Sequence, residues 1–94
     1  KKTLSMIQEI RKVQLETEIF VKNEMADIYS RELIELLFEQ PYCKISFLVD
    51  RHIAKKQTAS KYLNRLVAAG LLDKTKQGRE YYFINKNLWE ILTR

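Results

Sequence analysis

Residues 55–70, KKQTASKYLNRLVAAG, and residues 71–83, LLDKTKQGREYYF, decide how this chain folds. The first stretch reads as a basic helix from about Lys56 to Ala69, closed by Gly70, the natural residue for the left-handed position after a helix. The second reads as two strands, Leu71–Lys76 and Arg79–Ile84, folded about Gln77-Gly78, where glycine supplies a positive φ. Tyr81, Tyr82, Phe83 and Ile84 give the second strand high propensity. A helix that shows cations and small polar groups, followed at once by a basic hairpin, is the sequence shape of a winged helix-turn-helix. The expected fold class is therefore mainly α with a small β-hairpin wing.

Working back from that unit, Asp50 to Ala54 reads as the turn of the helix-turn-helix, with Ile53 or Ala54 in the tight space between helices. A short helix, Phe47 to about Arg51, capped by Ser46, would be its first helix. Lys44-Ile45 could add a minimal strand. Ser30 opens the helix before it, since its hydroxyl can accept from the free N–H groups of the first turn and Glu32 favours that positive end. Leu33, Ile34, Leu37 and Phe38 give this helix its core face, and Pro41 stops it by pushing Gln40 out of the helical region. Residues 3–28 read as one long helix, capped by Thr3, with Met6, Ile10, Val13, Phe20 and Met25 near a 3.6-residue period and Leu4, Ile7 and Val21 beside them. Working forward, Asn85 or Asn87 caps a last helix, Leu88 to Thr93, whose Leu88, Trp89 and Leu92 would close the core. The organisation expected is a linking helix over 1–29 and a winged helix-turn-helix over 30–94.

The composition, 46% apolar and 31% charged, is that of an ordinary globular domain. No apolar run approaches a membrane span, and no signal peptide is visible. Cys43 has no internal partner, which fits a reducing cytoplasm. The chain opens on Lys1 and not on Met, so a piece of a longer protein is expected. The net charge is +5, unevenly placed. Residues 1–50 hold seven Lys/Arg against nine Asp/Glu, whereas residues 51–79 hold eight against Asp73 alone. A cation excess this local points to a polyanionic partner, most simply double-stranded DNA.

On the basic helix, Ala59, Leu63, Leu66 and Val67 line the core side at spacings of four and three. Lys55, Lys56, Gln57, Ser60, Lys61 and Asn64 fall elsewhere and are the candidates for a major groove. Gln and Asn can pair with adenine, and Lys reaches guanine or phosphate. Lys74, Lys76 and Arg79 of the hairpin would reach the backbone or minor groove. Tyr62 fits either a packed rim or a phosphate contact. His52 is the only histidine. With no second His, no second Cys and no carboxylate pair, it reads as a turn or surface residue and not a metal ligand. Cys43 reads as a half-buried structural thiol. No paired carboxylates, nucleophile with a base, or phosphate loop marks the chain as an enzyme.

The run TASKYLNRLVAAGLLDKTKQGREYYF resembles many bacterial winged-helix regulators. The longer run IYSRELIELLFEQPYCKISFLVDRHIAKKQTASKYLNRLVAAGLL, with GREYYFIN after it, resembles the C-terminal domain of Fic-family proteins. Tyr29-Ser30, the Leu33-to-Phe38 helix, Gln40-Pro41-Tyr42, Ile53 to Ser60, Gly70, Gly78-Arg79-Glu80 and Ile84-Asn85 carry the resemblance. The 3–28 helix is similar to the segment joining the catalytic domain to this one. Fic proteins as a family transfer AMP from ATP to protein hydroxyl side chains. The resemblance implies a parent adenylyltransferase that uses ATP and a divalent metal, with this chain as its accessory module. The family's catalytic motif begins His-Pro-Phe and runs through a Gly-rich anion-binding loop that ends in arginine. Here His52 precedes Ile53, Pro41 follows Gln40, and Gly70 and Gly78 lie apart. The enzymatic residues are expected N-terminal to Lys1, with no catalytic residue and no cofactor in this chain. The partners expected are DNA, the catalytic Fic domain of the same protein, and a second copy through the 3–28 helix. Docking or regulation without DNA is the alternative reading.

Overall fold

The computed structural model describes residues 2–93, and side chains from Met6 onward. Five helices and three strands follow in order: α1 Lys2–Glu24, α2 Arg31–Leu37, β1 Tyr42–Cys43, α3 Ile45–Asp50, α4 Lys56–Ala68, β2 Leu72–Gln77, β3 Glu80–Asn85 and α5 Lys86–Leu92. The strands form one antiparallel sheet in the order β1-β3-β2. The architecture is mainly helical with a small hairpin wing, as the sequence pattern predicts. No helix among the described residues is long and apolar enough to cross a membrane.

The core gathers Val21, Met25 and Ile28, then Leu33, Ile34, Leu36 and Leu37 of α2, Leu48 of α3, Ala59, Leu63 and Leu66 of α4, and Cys43, Leu72 and Phe83 of the sheet. Pleating explains the sheet's part. Leu72 faces Asn85, Lys74 faces Phe83, and Cys43 faces Phe83 from the other side. These residues share one surface of the sheet, and its buried end covers α4.

Two helices end in the same way. After α4, Gly70 takes φ 86°, its N–H reaches Val67 O, and the Leu71 N–H reaches Leu66 O. After α3, His52 takes φ 59°, its N–H reaches Val49 O, and the Ile53 N–H reaches Leu48 O. Both are Schellman caps, in which the left-handed residue lets two orphan carbonyls be satisfied and turns an apolar residue back onto the helix. His52 therefore does the backbone work of a glycine, in an exposed turn position. The hairpin loop is Gly78-Arg79, one residue later than expected, with Gln77 paired to Glu80 and Gly78 at φ 64°. Glycine at the first loop position is the type II′ pattern, and it puts Arg79 at the tip.

Several local expectations shift. The long helix stops at Glu24 and not at 28. Residues 25–28 turn so that Met25 and Ile28 both enter the core, and the Tyr29 hydroxyl reaches back to Glu18 Oε2 at 2.6 Å. Along α1, Val21 is buried while Ile7 and Phe20 are exposed, and the side chains of Thr3 and Leu4 lie outside the described residues. The minimal strand added to the hairpin, β1, is Tyr42–Cys43 and not Lys44-Ile45, because Cys43, not Lys44, is the residue that packs on the Phe83 side. Ser46 is not the cap of α3. Lys44 holds that position with no side-chain cap bond, because the strand runs straight into the helix. In α5, Leu88 and Ile91 face inward, so Trp89 and Leu92, each one residue later, stay exposed and do not close the core. Cys43 is fully buried, not half-buried.

Asn85 caps α5 by accepting from the Leu88 N–H at 3.2 Å. Its amide also donates to the Leu37 carbonyl at 2.9 Å, and its own N–H donates to Pro41 O. Replacing Asn85 with Ala removes the cap and strands a buried carbonyl, so a loss of about 2 kcal/mol is expected in urea unfolding. A loss below about 0.5 kcal/mol would show that the buried amide does not matter. His52→Gly relieves the left-handed penalty, and a gain of roughly 0.5–1 kcal/mol is expected in the same assay.

Candidate nucleic-acid interface

Helix α4 inserts Ala59, Leu63 and Leu66 into the core, which leaves Gln57, Lys61, Asn64 and Ala68 on the outer face at spacings of four and three. Lys56 and Ser60 flank that line on the wing side, and Thr58 and Arg65 on the other. No acidic residue lies in the first turn, and no side chain caps it.

The structure places five of the nine candidate residues in two shallow grooves, while Lys55, Gln57, Lys74 and Lys76 line neither. One runs between the start of α3, the start of α4 and the wing tip, and its lining includes Lys44, Val49, Lys56, Arg79, Glu80 and Tyr81. The other lies along α4 and the turn after α1, lined by Asp27, Ile28, Ser60, Lys61, Asn64 and Arg65. Lys55, Lys56, Gln57, Lys61, Lys74, Lys76 and Arg79 are exposed, and Ser60 and Asn64 are half-buried. Tyr62 is half-buried and packs against the core, which favours the rim reading.

Pairing changes the charge map that the sequence suggests. Arg65 is tied to Asp27, and this contact holds the Asp27 carboxyl below its ordinary range. Arg51 makes a bidentate pair with Glu39. Both cations are thus matched by acids from the first half of the chain. Asp73 points to the opposite face of β2 from Lys74 and Lys76 and meets Lys86 at 3.8 Å. Glu80 is bound by Lys44 at 2.7 Å, which raises the Lys44 pKa. Among the described residues, Lys55, Lys56, Lys61 and Arg79 have no acidic partner, and Lys76 meets only the Tyr81 ring at 5.7 Å. What remains is a field of free cations on α4 and the wing.

The family model for the C-terminal domain of SoFic-like protein adenylyltransferases matches residues 13–88. The chain belongs to this family. Among the described residues no group of three or more His, Cys, Asp and Glu could hold a metal ion.

Sequence reasoning missed two residues of this SoFic-like C-terminal domain. In the sequence Tyr81 shows only strand propensity, yet it stands 42% exposed beside Lys56 and Arg79. Its signal was its place two residues before buried Phe83, on the same side of the pleat. Lys44 sits over the rings of Phe47 and Tyr82 while it binds Glu80, so it braces the wing. Only the folded pairing brings those groups together.

Cys43 is no nucleophile. Burial pushes its thiol up to about 12, against a weaker opposing effect of the Lys44 backbone. At pH 8 the native thiol is expected to resist iodoacetamide and to react once urea unfolds the chain. Equal rates in the two states would overturn this reading.

Proposed function

We propose that this chain is a DNA-binding accessory module of a Fic-type protein adenylyltransferase, acting in the cytoplasm. Catalysis, with its ATP and metal, belongs to a part of the parent protein outside this sequence. The observation that carries the reading is the set of cations without acidic partners among the described residues: Lys55 at the cap of α4, Lys56 and Lys61 on it, and Lys76 and Arg79 on the wing. Positive side chains without acidic partners, on a helix whose outer face is narrow enough for a major groove, suit a duplex backbone. Gln57 and Lys61 are the side chains placed to read base edges.

A second reading has its own support. Leu15 and Ile19 lie one turn apart on the solvent side of α1, 57% and 49% exposed. An apolar pair in that position favours docking, on the catalytic Fic domain or on a second copy. Winged helices also serve as protein docking units, so the fold does not choose between the two.

About five phosphate contacts predict that affinity for random duplex DNA falls roughly 10²- to 10³-fold between 50 and 200 mM salt. A fluorescence anisotropy titration at several salt concentrations measures it. Changing Lys55, Lys56 and Lys61 together to Glu is expected to abolish binding without unfolding the chain. Salt-independent binding, or none at low salt, refutes the DNA reading. Loss of parent-enzyme activity in the triple variant, with DNA never bound, supports docking.

A further inference from the structure

One polar chain crosses from α4 to the wing. Asn64 Nδ2 donates to the Ser60 carbonyl at 2.9 Å and to Ser60 Oγ at 3.3 Å. Asn64 Oδ1 accepts from Lys74 Nζ on β2 at 2.9 Å. The same ammonium lies 4.4 Å from the centroid of the Tyr81 ring and 5.8 Å from that of Phe83. Both ends of the amide are therefore in use, and in one orientation only. Turned over, its NH₂ group would face an ammonium, donor against donor. An asparagine that reads adenine needs both ends free, and a lysine that clamps phosphate needs its head group free.

We propose that Asn64 and Lys74 are not nucleic-acid contacts but a latch that sets the wing against α4. The groove held open in this way, between Lys56 and the Arg79–Tyr81 side of the wing, takes the phosphodiester backbone of one strand. The hairpin needs such a fixing. Leu72 and Phe83 bury its base, but Lys76, Gln77, Gly78, Arg79 and Glu80 are all exposed. Past Phe83 the wing is braced by Lys44–Glu80 on the α3 side and by Lys74–Asn64 on the α4 side. The wall of the groove carries Lys56 and Arg79, which have no acidic partner among the described residues, Tyr81, whose hydroxyl is a further phosphate donor, and Glu80, whose charge Lys44 matches at 2.7 Å. Lys74 and Asn64 are positioning residues that act through the distance between these groups.

The inference rests on the polyanion reading above, and the test separates the two. In the 94-residue chain, Asn64→Ala and Lys74→Met are each expected to shift the wing amide resonances from Thr75 to Arg79. Each should weaken binding to a random 20-base-pair duplex about threefold to tenfold, the double variant no more than the weaker single. The dependence of affinity on salt should stay as in the parent sequence. Lys56→Gln, a backbone contact, should instead lower the slope of log K against log salt by about 0.9 and leave the wing resonances in place. If Lys74→Met lowers the slope by that amount and the two single effects multiply, the pair are contacts and the latch is wrong. If the parent sequence binds no duplex, the DNA reading fails by itself. The resonances then still decide: a wing unmoved in both variants overturns the latch.

Discussion

A buried amide at the end of the third strand holds the domain in register. Asn85 is 5% exposed, and three of its hydrogen-bonding groups each reach a different part of the chain. Its side-chain oxygen starts α5, its NH₂ group closes the carbonyl of Leu37 at the end of α2, and its backbone N–H takes Pro41 O. In a low-dielectric interior such a group is stabilising only when fully matched, so the three elements must arrive together. The constraint reaches further. With Asn85 fixed against Leu72, the pairing of β2 with β3 is fixed, and a slip of one residue would carry Phe83 and Leu72 to solvent. The position of Arg79 at the wing tip follows from a contact at the other end of its strand.

The charge of the molecule is organised by the same topology. In the sequence, the basic stretch and the acidic first half look like separate blocks. Folding interleaves them at two places, Arg65 with Asp27 and Arg51 with Glu39. Those exposed pairs contribute little to stability, since solvent screens them. Their effect is on the shape of the field. Arg65 is drawn to the α1 side of α4 and Arg51 to the far end of α3, while the wing side of α4 keeps its cations uncompensated.

What could be read from the sequence was local chemistry. The Ser30 cap, the Gly70 terminator, the Ala59-Leu63-Leu66 spacing and the wing after α4 rest on groups within a few residues of one another, and all appear in the structure. What could not be read depends on contacts far apart in sequence. Ser46 has a good capping hydroxyl, yet the strand before α3 gives the cap position to Lys44. Trp89 is the largest apolar side chain near the end, yet the Asn85 cap sets the phase of α5 and leaves it outside. His52 shows the limit from the other side: nothing in its side chain announces a left-handed residue, and only the two caps taken together explain it. At the interface, composition found the cations but not which of them are free. Asn64 and Lys74 look like contacts one by one and become a link only when the hairpin folds back.

The free cations and the apolar pair Leu15–Ile19 lie on elements that share no residue, so the proposed polyanion binding and a docking partner would not compete for side chains. The shared core still couples them. Val21 of α1 and Leu63 of α4 belong to one buried cluster, and Arg65 of α4 is tied to Asp27 in the turn that ends α1. A partner seated on the outer face of α1 would touch the helix from which that turn departs. A rotation of α1 that reached Asp27 would reach Arg65, on the edge of α4 away from the wing. The wing edge, held by Lys74 and Asn64, is the part of the basic surface best insulated from such an event.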